Sequence, residues 1–190
     1  MSDALPSFKE LAAEWRRYLE SPIEELLWDA LVVRLHSAFA EYHDFAFGRD
    51  ELRAAHLAGR RQPEFLIVIA PQCEWSAYRI DIALLVKIGT CGADYDELLL
   101  AIECDGHDFH DRTKEQARRD RARDRDLARG GWITQRFTGS EIFADADGCA
   151  DEIYHLLMEW NAQGLVAERL REHSRLAFTR LSDPDQPWLG

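Results

Sequence analysis

The sequence predicts an α/β domain in which helices cover a central sheet, in the order helix, three strands, helix, strand, helix. Three observations predict it. Two long apolar runs, Tyr78–Val86 and Leu98–Gly106, alternate like strands and carry acids inside them. A heavily charged stretch from Lys114 to Arg129 reads as a helix stopped by Gly130-Gly131. Ser21-Pro22-Ile23-Glu24 opens an earlier helix with a good N-cap, a proline at the first helical position and a glutamate at the capping-box position.

Taken in order, residues from Phe8 to Glu20 form a short amphipathic helix. Ile23, Leu26, Leu27, Leu31 and Leu35 then recur at helical spacing, so the second helix runs to Phe39. The stretch up to Pro63 reads as irregular, with room for one further short helix. Phe65–Ala70 is a strand closed by Pro71, and the Asp81 and Glu103 strands follow, joined by a turn-rich loop near Gly89–Asp94. Trp132–Phe137 is a fourth strand. Thr138-Gly139-Ser140 turns the chain into a helix from Cys149 to Asn161, which packs through Ile153, Leu156, Leu157 and Trp160. A last helix, Leu165 to Ala177, and a loose tail complete the chain. Residues 1–161 are expected to form the main domain and 162–190 a helical appendage and tail.

The chain has 190 residues, enough for one domain with a full core, and is 46% hydrophobic and 31% charged. No apolar run reaches the length of a bilayer span, and the first residues lack the pattern of a signal peptide. Cys73, Cys91, Cys104 and Cys149 are scattered without a C-x-x-C pair, the pattern of reduced thiols in a cytoplasmic protein. The net charge of −12 argues against capture of nucleic acid by the whole surface. The basic residues are clustered, however, with eight Lys and Arg from Arg112 to Arg129.

The acids carry the functional signal. In an extended chain Glu103 and Asp105 point to one face, and Ile102 and Cys104 to the other. If the two runs pair, Asp81 joins them in one pocket, where crowded carboxylates repel unless a cation sits among them. Cys104, His107 and His110 do not match a standard zinc ligand spacing.

Asp81, followed by Ile102-Glu103-Cys104-Asp105-Gly106-His107-Asp108-Phe109-His110, resembles the strand motifs of the PD-(D/E)XK nuclease superfamily, and within it the very-short-patch-repair-like endonucleases. Asp120-Arg121-Ala122-Arg123, Gly130-Gly131-Trp132 and Arg136-Phe137 resemble that family's following helix and strand. Ser21–Trp28 resembles its opening helix. The resemblance spans roughly residues 21 to 158. It implies a restriction-endonuclease-like mixed sheet of about four strands and metal-dependent hydrolysis of a phosphodiester, usually in DNA.

It further implies that Asp81 and Glu103 bind Mg²⁺, with Mn²⁺ as a substitute, and that Glu24 supports the site, Glu25 being the fallback if the register is off by one. Asp105 stands where the superfamily carries a lysine. His110, with His107 as second choice, lies at the spacing of a catalytic histidine in the repair enzymes, and Lys114 is placed to supply the missing positive charge. Lys114, Arg118 and Arg136 are the candidate nucleic-acid contacts. The implied setting is repair, restriction or phage defence. The expected partner is DNA, double- or single-stranded, with no membrane; a homodimer through the C-terminal stretch stays open.

Plainer readings stand beside these. Glu24 completes a capping box with Ser21. An acid at a strand end is commonly a solvated edge residue. The Arg and Asp residues of the charged helix can pair with one another at i,i+3 and i,i+4. A nuclease fold without activity, or an acidic protein that mimics DNA, also accommodates the charge.

Overall fold

The fold was analysed in a computed structural model, which describes residues 8–39, 44–57, 65–89, 95–106 and 114–181. The elements are α1 (Phe8–Arg16), α2 (Pro22–Phe39), β1 (Asp44–Phe47), α3 (Arg49–Leu57), β2 (Phe65–Trp75), β3 (Tyr78–Gly89), β4 (Tyr95–Asp105), α4 (Lys114–Arg129), β5 (Trp132–Thr138) and α5 (Gly139–Leu181). The chain divides into two compact units, Met1–Ile153 and Tyr154–Gly190, with the boundary inside α5.

The five strands form one sheet in the order β1-β2-β3-β4-β5. The inner pairs β2/β3 and β3/β4 are antiparallel, whereas β1/β2 and β4/β5 are parallel. The sheet is therefore mixed and flanked by helices, as expected, with one strand more than the sequence suggested. That strand, β1, and helix α3 occupy the stretch up to Pro63 that read as irregular.

Two other boundaries differ. Strand β2 does not stop at Pro71 but runs on to Trp75, then turns through Ser76 and Ala77 into β3. Beyond Ile69 it has no β1 partner, so Pro71 sits where its missing N–H costs no ladder bond on that side. Ser76 takes φ 56, the positive value a two-residue hairpin needs at its first central residue. The final helical segment begins at Gly139, ahead of the expected start at Cys149, and is interrupted at Asp145 (φ −157, ψ 77), whose Oδ1 accepts the Gly148 N–H at 2.9 Å, rather than between Asn161 and Leu165. Its start is a capping box. The Thr138 Oγ1 accepts the Glu141 N–H at 3.3 Å, and Glu141 Oε2 accepts the Thr138 N–H at 2.7 Å. The first helix ends at Arg16 rather than Glu20.

The core follows from strand alternation. Val68, Ala70, Leu85, Leu99 and Ala101 pack with Leu52 and Ala55 of α3, Leu127 of α4 and Trp132 of β5. Ile67, Ile69, Ile82, Leu84, Leu100 and Ile102 are also buried, so the inner strands are covered on both faces. Helix α2 lies against β3 and buries Leu27, Trp28, Leu31 and Leu35. After α4, Gly131 takes φ 84 and releases the chain into β5. No helix among the described residues is long and apolar enough to cross a membrane.

Candidate active site

The antiparallel register of β3 and β4 pairs Ile82 with Ile102, and one more step of it sets Asp81 opposite Glu103. Directly opposed residues share a face of the sheet. On the other flank the parallel pairing sets Glu103 opposite Arg136 of β5. On β2, the register would place Gln72 across from Asp81, but the pairing skips both residues, and Gln72 takes φ 49. Alternation breaks at the same level. Val68, Ala70 and Cys73 join one core cluster, as do Ile80, Ala83 and Leu85. Such a local break beside a site re-aims side chains.

Each acid has a defined setting. Glu103 is buried, and its Oε1 accepts a hydrogen bond from Arg123 Nη2 at 2.6 Å. The same Arg123 nitrogen donates to the Arg79 carbonyl at 2.6 Å, which ties α4 to β3. Asp81 Oδ2 accepts the Cys104 N–H at 2.8 Å, so a side chain takes the place of a backbone acceptor at the end of the ladder. Glu24 is buried at the start of α2 and accepts hydrogen bonds from the Glu20 N–H (2.9 Å), Ser21 Oγ (2.8 Å) and Gln72 Nε2 (2.7 Å). Glu24 completes the capping box expected of it, since Ser21 Oγ also accepts the Glu24 N–H at 3.3 Å.

The electrostatics report convergence. Burial, then the charge of Asp81, pushes Glu103 up to about 7, against the pull of Arg123 and Arg136. Burial also raises Asp81, opposed by the Cys104 N–H and reinforced by the charge of Glu24. The Cys104 thiol is pushed up by burial and then by Asp81, Glu24, Glu103 and Asp105. The Cys104 thiol thus feels the charge of all four predicted carboxylates. The thiol stays protonated and offers no thiolate ligand.

The remaining predicted residues divide. Asp105 ends β4 half-buried, with Thr138 as its β5 partner. Arg136 is half-buried and its guanidinium is bonded to Asp124 of α4. Arg118 is exposed on α4. Lys114 is the first residue of α4, but its side chain lies outside the described residues, as do His107 and His110 altogether. Within α4, Arg129 and Asp126 make the expected i,i+3 pair. Arg123 and Asp124 instead reach Glu103 and Arg136, and Asp126 also accepts a hydrogen bond from Tyr78.

Sequence reasoning read Arg123, with Asp120, as a structural partner inside the fold without naming its contact with Glu103, and it missed Gln72. Arg123 supplies positive charge to the strand glutamate, the role considered for Lys114. One signal was in view: Arg123 belongs to the segment that carried the family resemblance. Gln72 gave no signal, because its contact with Glu24 spans 48 residues.

These are hard oxygen donors, suited to a small divalent cation. Buried like charges opposed across two strands are what such a cation relieves. Among the described residues no group of three or more His, Cys, Asp and Glu side chains is gathered to hold a metal. Two carboxylates are the donors the described residues offer at this end of the sheet, a set that suits an ion keeping most of its shell as water.

Strand order and site together describe a nuclease-like α/β fold. Residues 66–157 match the family model REase_MTES_1575, so this segment is similar to a restriction-endonuclease-like family, consistent with the PD-(D/E)XK superfamily. The match contains Asp81, Glu103, Asp105, Arg123 and Arg136, and leaves Glu24 outside. A solved structure, "Crystal structure of HopZ1a in complex with IP6 and CoA", is similar at 12% identity and a TM-score of 0.29, over 80% of this chain and 59% of that one. No curated protein matches the chain.

Proposed function

We propose that this protein is a divalent-metal-dependent endonuclease that hydrolyses phosphodiester bonds in DNA, of the very-short-patch-repair-like type. The observation that carries the reading is the opposition of Asp81 and Glu103 across β3/β4, with both carboxylates buried enough to be raised above their ordinary range. The restriction-endonuclease-like family match supports it.

In this reading Asp81 and Glu103 hold Mg²⁺, or Mn²⁺ in its place. When bound, the ion acidifies a coordinated water and offsets charge on the phosphate. Asp81, anchored by the Cys104 N–H, presents its other oxygen to the site. Glu24, fixed by its three donors, orients water on the α2 side. Arg123 steadies Glu103 and provides the positive charge that the superfamily draws from a lysine where Asp105 stands. Asp105 shapes the pocket at the end of β4. His110 moves the proton, a role an imidazole fills near neutral pH. Arg136, opposite Glu103, faces the scissile phosphate, with Lys114 and Arg118 on the flanking backbone. Repair, restriction or phage defence is the setting.

The test is cleavage of plasmid and single-stranded DNA with Mg²⁺ or Mn²⁺, comparing the wild-type chain with Glu103→Ala. The expected result is metal-dependent cleavage lost in the variant. Absence of cleavage with either ion, or cleavage that survives the substitution, contradicts the proposal.

One contact favours a second reading, a nucleic-acid-binding module of the same fold without chemistry. Arg123 occupies an oxygen of Glu103 at 2.6 Å. That reading gives DNA binding unchanged by Glu103→Ala and no cleavage.

A further inference from the structure

Three buried polar side-chain atoms lack a hydrogen-bond partner among the described residues: Gln72 Oε1, Arg123 Nε and Trp132 Nε1. The first two belong to side chains bonded to Glu24 and Glu103, so the imbalance is concentrated at the carboxylates. A buried amide oxygen without a donor is costly, and a native fold keeps one where something else satisfies it. Gln72 is 3% exposed, so bulk water does not do so. Its backbone is also costly, since φ 49 is unfavourable for a residue with a side chain. Strain, burial and an unsatisfied oxygen thus meet in a residue that lies at the level of Asp81, where the β2/β3 pairing is interrupted, and holds Glu24 through its Nε2 at 2.7 Å.

We infer that Gln72 is a positioning residue of the carboxylate site, locking Glu24 with its amide N–H and offering Oε1 to the hydration shell of the bound cation. The inference rests on the metal-dependent reading above and adds to it a neutral oxygen donor from β2. A neutral oxygen that accepts from a coordinated water adds no repulsion to a site that already crowds anions.

Two variants of the full chain separate this role from a structural one. Gln72→Leu removes both the amide donor and Oε1. Gln72→Glu keeps an oxygen in place but sets a further carboxylate against Glu24. Thermal melting without divalent ion and Mn²⁺ affinity by calorimetry are read for each, beside DNA cleavage by the wild-type chain. For Gln72→Leu the expected result is a melting temperature equal to or above wild type, with Mn²⁺ affinity lowered about tenfold. For Gln72→Glu the ion-free protein melts lower while Mn²⁺ affinity is at least that of wild type. This reciprocal pattern is not what a packing role gives, for which both variants melt lower and ion affinity stays put.

If the wild type binds Mn²⁺ and cleaves DNA but Gln72→Leu binds the ion equally well, the role of Gln72 falls and the nuclease reading stands. If the wild-type chain neither binds Mn²⁺ nor cleaves, both fall together.

Discussion

The β3/β4 ladder has unlike charges facing one another at one end and like charges at the other. At the first, Lys87 is the direct partner of Glu97, and Lys87 Nζ lies 3.2 Å from Glu97 Oε2. The other oxygen of Glu97 meets His56 Nδ1 at 2.8 Å. At the second, six residues along each strand and one step past the last ladder pair, Asp81 comes opposite Glu103, and burial and then the charge of Asp81 push the Glu103 carboxyl up. Between them lies an apolar stretch, Ala83–Val86 against Leu98–Ala101, with side chains buried throughout. The same backbone pairing therefore builds a structural ion pair and an electrostatically strained site. The fold stabilises itself at one end and stores repulsion at the other, where a cation and Arg123 can offset it.

Substitutions can break this contrast. The largest expected effect is on chemistry: Asp81→Asn or Glu103→Gln abolishes metal-dependent cleavage, measured on plasmid DNA, while the protein stays folded by circular dichroism. At the other end, Lys87→Ala removes the buried cation that faces Glu97. Breaking a buried pair costs about 3–5 kcal/mol, and the half-buried His56 contact brings this toward the lower figure, read by urea unfolding with no change in ion affinity.

The pH dependence sharpens the comparison. Glu103 has a folded value of about 7, above its ordinary 4.5, so the folded state holds this proton more tightly than the unfolded state. The resulting stability is fully present below pH 4.5 and is lost as pH rises through about 7. The loss is about 3 kcal/mol at most. Unfolding from pH 5 to 8 is expected to show this decline in the ion-free wild type and a flatter profile in Glu103→Gln. Removing the Arg123 charge takes away a force that lowers Glu103, so Arg123→Gln moves the acid limb of the cleavage–pH profile upward, by about one unit. The smallest effect belongs to His56→Gln. Its contact with Glu97 is partly exposed, so the expected loss is about 0.5–1 kcal/mol of stability.

The strained end was legible in the sequence because strand alternation is a local rule. Asp81 sits in one apolar run, Glu103 and Asp105 in another, and pairing of the runs was the one step needed to bring them together. Glu24 was legible through Ser21-Pro22, which fixed the helix start. What was hidden is non-local. The four-residue strand β1 is stabilised by its parallel partner, with little pattern of its own. The run of β2 past Pro71 is tolerated only because β1 has ended, a fact about a neighbouring strand. Gln72 and Arg123 reach the acids across 48 and 20 residues, and no spacing rule links them. The Lys87–Glu97 pair went unread for the same reason, since the register of an antiparallel pair is a property of two strands at once.

The central claim is that the like-charged end of β3/β4 is a cation site. Calorimetric titration of Mg²⁺ into the full chain at pH 7, repeated with Asp81→Asn, tests it most directly. Saturable binding that releases protons and disappears in the variant is the expected result. No saturable uptake of Mg²⁺ or Mn²⁺, or uptake that Asp81→Asn leaves unchanged, would contradict the account.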